Sequence, residues 1–251
     1  MKGDMDFKGF IIDLDGVVYK GEELISDSNK RIASAKKRAK VLFLTNNSTK
    51  TRAEYVEKLR GFGINVDEGD IITSGYAAAL YIKKNYKNPS VFVIGEEGLK
   101  RELEWQGIQI GWEECNIVLV GLDRTFNYSK IATAFKHIEG GADFIATNTD
   151  NTLITEKGML PGAGAVVSAL QTVCETEPIL IGKPSEIIAK IALDRLKLNP
   201  EDVLLLGDRL ETDIKMGKRV GMKTALVLTG YSKREEIEKS KIKPDYILDK
   251  L

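Results

Sequence analysis

The sequence predicts an α/β protein built on parallel sheets, with a second α/β domain inserted into the first. Three observations carry that prediction. Short, continuously apolar runs alternate with amphipathic helical patterns along nearly the whole 251-residue chain, as strands buried on both faces of a sheet require. Polar and charged residues gather at the ends of particular runs, in the first fifty or so residues and again after residue 180. The stretch between them holds further strand–helix units but no comparable acidic strand end. This predicts a discontinuous core of residues 1–75 and 178–251 around an inserted domain of 76–177.

Taken in order, the strands read as Phe10–Leu14, Val41–Thr45, Val91–Ile94, Ile117–Val120 and Phe144–Thr147. Ile179–Ile181, Val203–Gly207, Ala225–Leu228 and Tyr246–Leu248 complete the set. Each is a short apolar run rich in β-branched or bulky residues. The first helix reads as Thr51–Phe62, where Tyr55, Leu59 and Phe62 share one face. The others read as Tyr76–Lys84, Leu99–Gln106, Tyr128–Ile138, Gly164–Cys174, Ser185–Leu196 and Glu211–Val220.

Composition narrows the function classes. The chain has 37 basic and 37 acidic side chains, a formal net charge of zero and no long Lys/Arg run, which argues against a nucleic-acid or anionic-membrane partner. No apolar stretch approaches bilayer-spanning length, and Met1–Phe10 has no apolar core of signal-peptide length. Cys115 and Cys174 stand in no CxxC or Cys/His cluster, so neither a disulfide framework nor a zinc site is expected. A soluble, reduced, cytoplasmic protein fits these features, as monomer or homodimer. The single histidine, His137, reads as a surface helix residue, and chemistry built on several histidines is excluded.

Four strand ends carry the chemistry. Asp13-Leu14-Asp15-Gly16 follows Phe10-Ile11-Ile12; Thr45-Asn46-Asn47-Ser48 follows Val41–Leu44; Gly182-Lys183-Pro184 follows Ile179–Ile181; Gly207-Asp208-Arg209, with Thr212-Asp213 beyond, follows Val203–Leu206. An open α/β sheet places its ligand beyond the carboxyl ends of its strands. A charge buried without a partner is costly, so two carboxylates at the end of a buried strand call for a cation or a reaction. Gly16 lets the chain leave the strand sharply and lets backbone amides approach a ligand. Each element also reads as ordinary structure: an Asp-Gly turn, a loop after a strand, a surface lysine before a helix, an Asx turn or a first-turn helix acid. Together, converging carboxylates suit Mg²⁺, and a lysine, a threonine hydroxyl and backbone amides suit a phosphate. One carboxylate could accept a phosphoryl group while its neighbour handles protons. Two rival motifs fail: Gly162-Ala163-Gly164 meets Val167 where a dinucleotide loop needs its third glycine, and Gly182-Lys183 has Glu177 where a P-loop needs its first.

That ordered set resembles the haloacid dehalogenase superfamily of aspartate-nucleophile phosphatases. Asp13-Leu14-Asp15-Gly16-Val17, Thr45, Lys183 and Gly207-Asp208…Asp213 match its four motifs. Leu44–Ser48, Gly182–Ser185 and Gly207–Ile214 look like the NagD-like and 4-nitrophenylphosphatase branch, which has a large α/β (type IIA) cap. The resemblance implies a Rossmann-like core and an aspartyl-phosphate mechanism. It makes Asp13 the nucleophile and Asp15 the acid that protonates the leaving alcohol and then activates water. It assigns Thr45 and Lys183 to the phosphoryl oxygens, with Leu14, Gly16, Asn46 and Asn47 supplying the backbone cradle. Mg²⁺ would be held by Asp13, the Asp15 main-chain carbonyl and Asp208. Asp213 would either hold the metal, directly or through water, or orient Lys183.

In the family the cap closes over the site and selects the substrate. Thr147–Asp150 and Leu160–Gly164 resemble cap landmarks, which makes Asn151-Thr152-Leu153 the candidate selectivity loop. Relatives specific for pyridoxal phosphate carry a histidine near Leu153, which counts against that substrate here. The function implied is hydrolysis of a small soluble phosphate ester. Phosphotransfer to another acceptor, as in a mutase, and a noncatalytic receiver-like phospho-acceptor are the alternatives.

Overall fold

A computed structural model describes residues 7–155 and 158–251, and only the backbone of Ile154 and Thr155. The first six residues of the amino-terminal stretch discussed above lie outside that description. The chain folds as two compact units: one takes the chain up to Thr45, Val56–Ile72 and Lys183–Leu251, the other Asn46–Tyr55 and Thr73–Gly182.

The first unit is organised by a six-stranded sheet in the order Tyr246–Leu248, Lys223–Val227, Val203–Gly207, Gly9–Asp13, Lys40–Thr45, Ile71–Thr73. Gly9–Asp13 runs parallel to both neighbours, with Ile11 opposite Leu205 on one side and Leu42 on the other. Every residue of Gly9–Asp13 and of Val203–Gly207 is buried, which is why both read as unbroken apolar runs rather than alternating ones. The chain enters this sheet in the middle and later strands add on both sides. The carboxyl ends of Gly9–Asp13, Lys40–Thr45 and Val203–Gly207 therefore lie side by side at a topological switch point.

The second unit has its own five-stranded parallel sheet, in the order Ile179–Leu180, Asp143–Ala146, Ile117–Val120, Ser90–Ile94, Gln109–Ile110. Phe92, Val118, Val120 and Phe144 pack with Val166, Val167 and Leu170 of the helix Ala163–Cys174 into one of its cores. His137 lies on the helix Tyr128–Glu139, half-buried, with its ring against Phe92 and Nε2 3.1 Å from the Trp112 carbonyl.

The structure revises the predicted boundaries. Ile179–Leu180 pairs with Asp143–Ala146, so the chain leaves the second sheet after residue 177, not at it. Residues 46–55 also belong with the second unit, because Asn46, Ser48 and Arg52 bond to Asn148, Thr147 and Glu102. The sequence reading passed over the helix Ser28–Lys36, in which Ser28 and Ile32 alone are buried, too little for an apolar stripe. The helix Arg234–Lys239 and the strands Tyr19–Lys20, Glu23–Leu24, Ile71–Thr73, Gln109–Ile110, Thr152–Thr155 and Gly158–Pro161 are likewise absent from the sequence reading, whereas Tyr246–Leu248 has its predicted ends.

Candidate active site

Asp13, the last residue of its strand, is 6% exposed and faces Lys183, whose ammonium lies 2.7 Å from Asp13 Oδ1. The same ammonium lies 2.7 Å from Asp213 Oδ1. Among the described residues, Asp13, Asp208 and Asp213 bring carboxylate oxygens within 4.8 Å of one another, and all three are buried.

Local geometry explains how the second half of the site forms. The expected helix Glu211–Val220 begins instead with a π-helical turn over Leu210–Ile214, in which the amides of Asp213 and Ile214 both reach the Arg209 carbonyl. Such widened turns concentrate at functional positions. Asp213 sits on this turn, and its Oδ2 accepts from the Arg209 amide and the Thr212 hydroxyl at 3.2 Å each, which leaves Oδ1 for Lys183. A Cβ at Gly207 would collide with the Asp213 side chain, so only glycine lets that carboxylate lie against the strand end. Gly16 serves the same purpose for Asp208: its φ is +80°, and a Cβ there would strike the Asp208 carboxylate. Asp208 Oδ2 accepts the Tyr231 amide at 2.7 Å.

Electrostatics follow from burial. Desolvation pushes the Asp13 carboxyl well above the usual carboxylate range; Lys183 pulls it back, while Asp213 and Asp208 add to the rise. Asp208 is pushed up to about 6, by burial first and Asp213 next, against the Tyr231 amide, Lys183 and Arg209. Burial also opposes the Lys183 ammonium, but Asp13 and Asp213 outweigh it and hold its pKa above the usual lysine value. Two of the three clustered carboxylates, Asp13 and Asp213, contact the one ammonium. The cluster carries surplus negative charge from hard oxygen donors, which is the donor set of a site for Mg²⁺.

The other expected site residues fall in different places. Thr45 is buried at the end of its strand, one residue past Leu44, the register partner of Asp13. Asp15 is half-buried and bridges Tyr19 through the backbone. The Leu14 side chain is wholly core. Asn46 and Asn47 belong to the second unit, where the Asn46 amide donates to Asp150 Oδ2 at 3.1 Å. Asn47 Oδ1 accepts the amide and hydroxyl of Thr49 at 2.9 and 2.8 Å. Asn151, Thr152 and Leu153, the candidate selectivity loop, lead into a hairpin, Thr152–Thr155 against Gly158–Pro161, in which Thr152 pairs with Pro161 and Leu153 with Leu160.

Sequence reasoning missed a further strand end, Thr229-Gly230-Tyr231-Ser232 after Lys223–Val227. Thr229 Oγ1 donates to the Gly16 carbonyl at 2.6 Å, the Tyr231 and Ser232 amides reach Asp208, and a Cβ at Gly230 would collide with the Asp208 carboxylate. The signal was available: a polar Thr-Gly pair closing an apolar strand of the same sheet.

Carboxylates and a lysine meet at the switch point of a parallel sheet, where an α/β enzyme places its ligand site. A family model described as haloacid dehalogenase-like hydrolase matches residues 10–109, and a second, HAD-hydrolase-like, matches 180–251. The 5'-nucleotidase YutF of Bacillus subtilis is 39% identical over 98% of this chain and 96% of its own length. The structure of a p-nitrophenyl phosphatase from Archaeoglobus fulgidus is 38% identical, with a TM-score of 0.93 over 98% of this chain and 97% of that one. A glycerol phosphate phosphatase from Mycobacterium tuberculosis, solved in complex with magnesium, is 30% identical, with a TM-score of 0.90 over 96% of this chain and 74% of that one. The chain belongs to the haloacid dehalogenase-like hydrolases. It is a hydrolase, and among its described residues no helix is long and apolar enough to cross a membrane.

Proposed function

We propose that this protein hydrolyses phosphate monoesters of small soluble molecules through a phospho-Asp13 intermediate, with Mg²⁺ held at the carboxylate cluster. The observation that carries the reading is the convergence of the Asp13, Asp208 and Asp213 carboxylates at the carboxyl edge of the sheet, with the Lys183 ammonium bonded to Asp13 and Asp213. The relatives named above are a 5'-nucleotidase, a p-nitrophenyl phosphatase and a glycerol phosphate phosphatase, all acting on small phosphate esters by name.

Each residue has a part in the chemistry. A nucleophile must be ionised, and burial with two neighbouring carboxylates works against that for Asp13. Asp13, the Asp15 main-chain carbonyl and Asp208 would hold Mg²⁺, which supplies charge neutralisation between the carboxylate and the incoming phosphate. The Asp13 carboxylate attacks phosphorus, the bond to the ester oxygen breaks, and Asp15 gives that oxygen its proton. Asp15 then takes a proton from water, which attacks the phosphorus of the aspartyl phosphate and releases inorganic phosphate with Asp13 regenerated. Lys183 and Thr45 bind phosphoryl oxygens, with Asp213 fixing the Lys183 ammonium. Asn151, Thr152 and Leu153 are the proposed selectors of the alcohol.

The test is phosphate release from nucleotides, sugar phosphates, glycerol phosphates, phosphoglycolate, pyridoxal phosphate and 4-nitrophenyl phosphate, with Mg²⁺ and with chelator. Turnover is expected with Mg²⁺ and none with chelator. Asp13→Asn is expected to fold normally and to lose at least about a thousandfold in kcat, as loss of a covalent nucleophile does. Retained turnover in a folded Asp13→Asn protein would exclude the phospho-Asp13 route.

A further inference from the structure

We propose that Lys58 is a positioning residue for Asp15, acting through the turn that carries it; this rests on the proton-transfer role given to Asp15 above. Residues 14–19 form a closed coil. The Leu14 carbonyl accepts the amides of Val17, Val18 and Tyr19 at 3.3, 2.9 and 3.3 Å, and the Gly16 amide returns to the Tyr19 carbonyl at 2.8 Å. Asp15 itself bridges Tyr19. Tyr19 is therefore the residue that closes the coil on which Asp15 sits.

Tyr19 begins a hairpin, Tyr19–Lys20 against Glu23–Leu24, held by two residue pairs. A two-stranded hairpin this short is not stable alone. What holds it comes from the helix Arg52–Gly61 and the residue after it. The Tyr19 ring is 1% exposed and packs on Phe62 with ring centroids 5.7 Å apart. One turn earlier on that helix, the Lys58 ammonium stands 4.1 Å from the Tyr19 ring centroid, donates to the Gly21 carbonyl at 2.6 Å and pairs with Glu22 Oε1 at 2.9 Å. One cation thus grips a ring, a carbonyl and a carboxylate of residues 19, 21 and 22. The Lys58 side chain is 12% exposed, so water screens its contacts to the Tyr19 ring and the Gly21 carbonyl poorly, whereas Glu22 is 66% exposed and its pair contributes little. Among the described residues, its contacts go to the hairpin and not to the carboxylate cluster. Apolar packing of a methylene stem would bury Tyr19 equally well; what the ammonium adds is direction.

The consequence is specific to the leaving group. An alkyl alcohol departs only if it is protonated, whereas 4-nitrophenolate is stable as an anion. A loosened Asp15 therefore harms the first ester far more than the second. The parameter to read is kcat/KM, because it covers only the steps up to release of the alcohol and is blind to the later attack of water. Lys58→Met, which keeps the stem and removes the charge, is expected to lose at least about tenfold in kcat/KM on glycerol 3-phosphate and about twofold or less on 4-nitrophenyl phosphate. A general acid contributes about 10²–10⁴-fold, so a partial loss of its alignment falls in that range. Lys58→Arg should recover most of the alkyl activity.

Equal losses on both esters, or no loss on either, would overturn the proposal. Asp15→Asn measured in parallel separates it from the reading beneath it. If Asp15→Asn fails to discriminate between the esters, the proton-transfer role of Asp15 falls; if it discriminates and Lys58→Met does not, only the Lys58 assignment falls. Should Lys58→Met not fold by circular dichroism, Lys58→Gln, which keeps a donor for the Gly21 carbonyl, is read by the same two outcomes.

Discussion

Replacing Lys183 by methionine removes the one ammonium from a cluster of three buried carboxylates. Its nitrogen lies 2.7 Å from both Asp13 and Asp213, with side-chain exposures of 4%, 8% and 1% for Lys183, Asp13 and Asp213. Removing one partner of a buried ion pair leaves the other charge uncompensated, a loss of about 3–5 kcal/mol. Two pairs share the ammonium, but the carboxylates left behind can take up a proton. Asp13 already leans that way through burial, which holds the loss near that of one pair rather than two. At about 2–4 °C per kcal/mol for a chain of this size, the midpoint of thermal unfolding at pH 7.5 should fall by about 6–20 °C. The sign of the pH dependence follows. Carboxylates whose folded pKa is raised favour the folded state at low pH and lose that contribution as pH rises through the folded value, so the deficit relative to wild type narrows at pH 5. Differential scanning calorimetry at the two pH values measures both. A fall of less than about 3 °C, or a deficit that widens toward pH 5, would show that Lys183 is not neutralising desolvated carboxylates.

Asp208, raised to about 6, gives the metal-free protein a stabilising contribution that is complete below the unfolded carboxylate value of 3.8 and is lost as pH rises through about 6. Binding Mg²⁺ requires the ionised form, so the Mg²⁺-induced rise in the unfolding midpoint should be larger at pH 7.5 than at pH 5; an equal or larger rise at pH 5 would contradict this. In the second unit, Glu102 is fully buried, Arg52 Nε lies 3.1 Å from it, and the guanidinium stacks 3.6 Å from the Tyr76 ring centroid. Arg52→Met should destabilise the protein by about 3–5 kcal/mol in urea unfolding while leaving the Mg²⁺-induced shift unchanged. A loss below about 1 kcal/mol would mean that Glu102 finds other compensation.

The strands were legible because burial on both faces writes itself into sequence as unbroken apolar runs. Val203–Gly207 and Ile117–Val120 have the same ends in sequence and structure, and Gly9–Asp13 is displaced by one residue from its expected position. Short strands such as Gln109–Ile110 carry no such run. The helix Ser28–Lys36 buries too little to show a stripe, and the π-turn at Leu210–Ile214 reads as ordinary helix because its period differs from 3.6 over one turn alone. The junctions at residues 46–55 and 178–182 were illegible because composition does not change there. What assigns those residues to the second unit is their bonding, Arg52 to Glu102 and Ile179–Leu180 to Asp143–Ala146.

By itself, the sequence determined which residue types stand at the ends of which strands, and therefore that acidic groups and a hydroxyl close strands of a parallel sheet. That information is local, carried by apolar run and polar stop. Lys183 follows Ile179–Leu180, a strand of the other sheet, and only its tertiary contacts bring it to Asp13 and Asp213. The tertiary structure alone decided that Asp213 turns its Oδ1 to Lys183 and that Asp208 is wedged against Gly16 and Gly230. It also decided that Lys58 reaches back to grip the Tyr19 hairpin. Those contacts join residues 30, 192, 22 and 39 positions apart, and closing such loops is settled by how whole elements pack, not by any pattern within one of them.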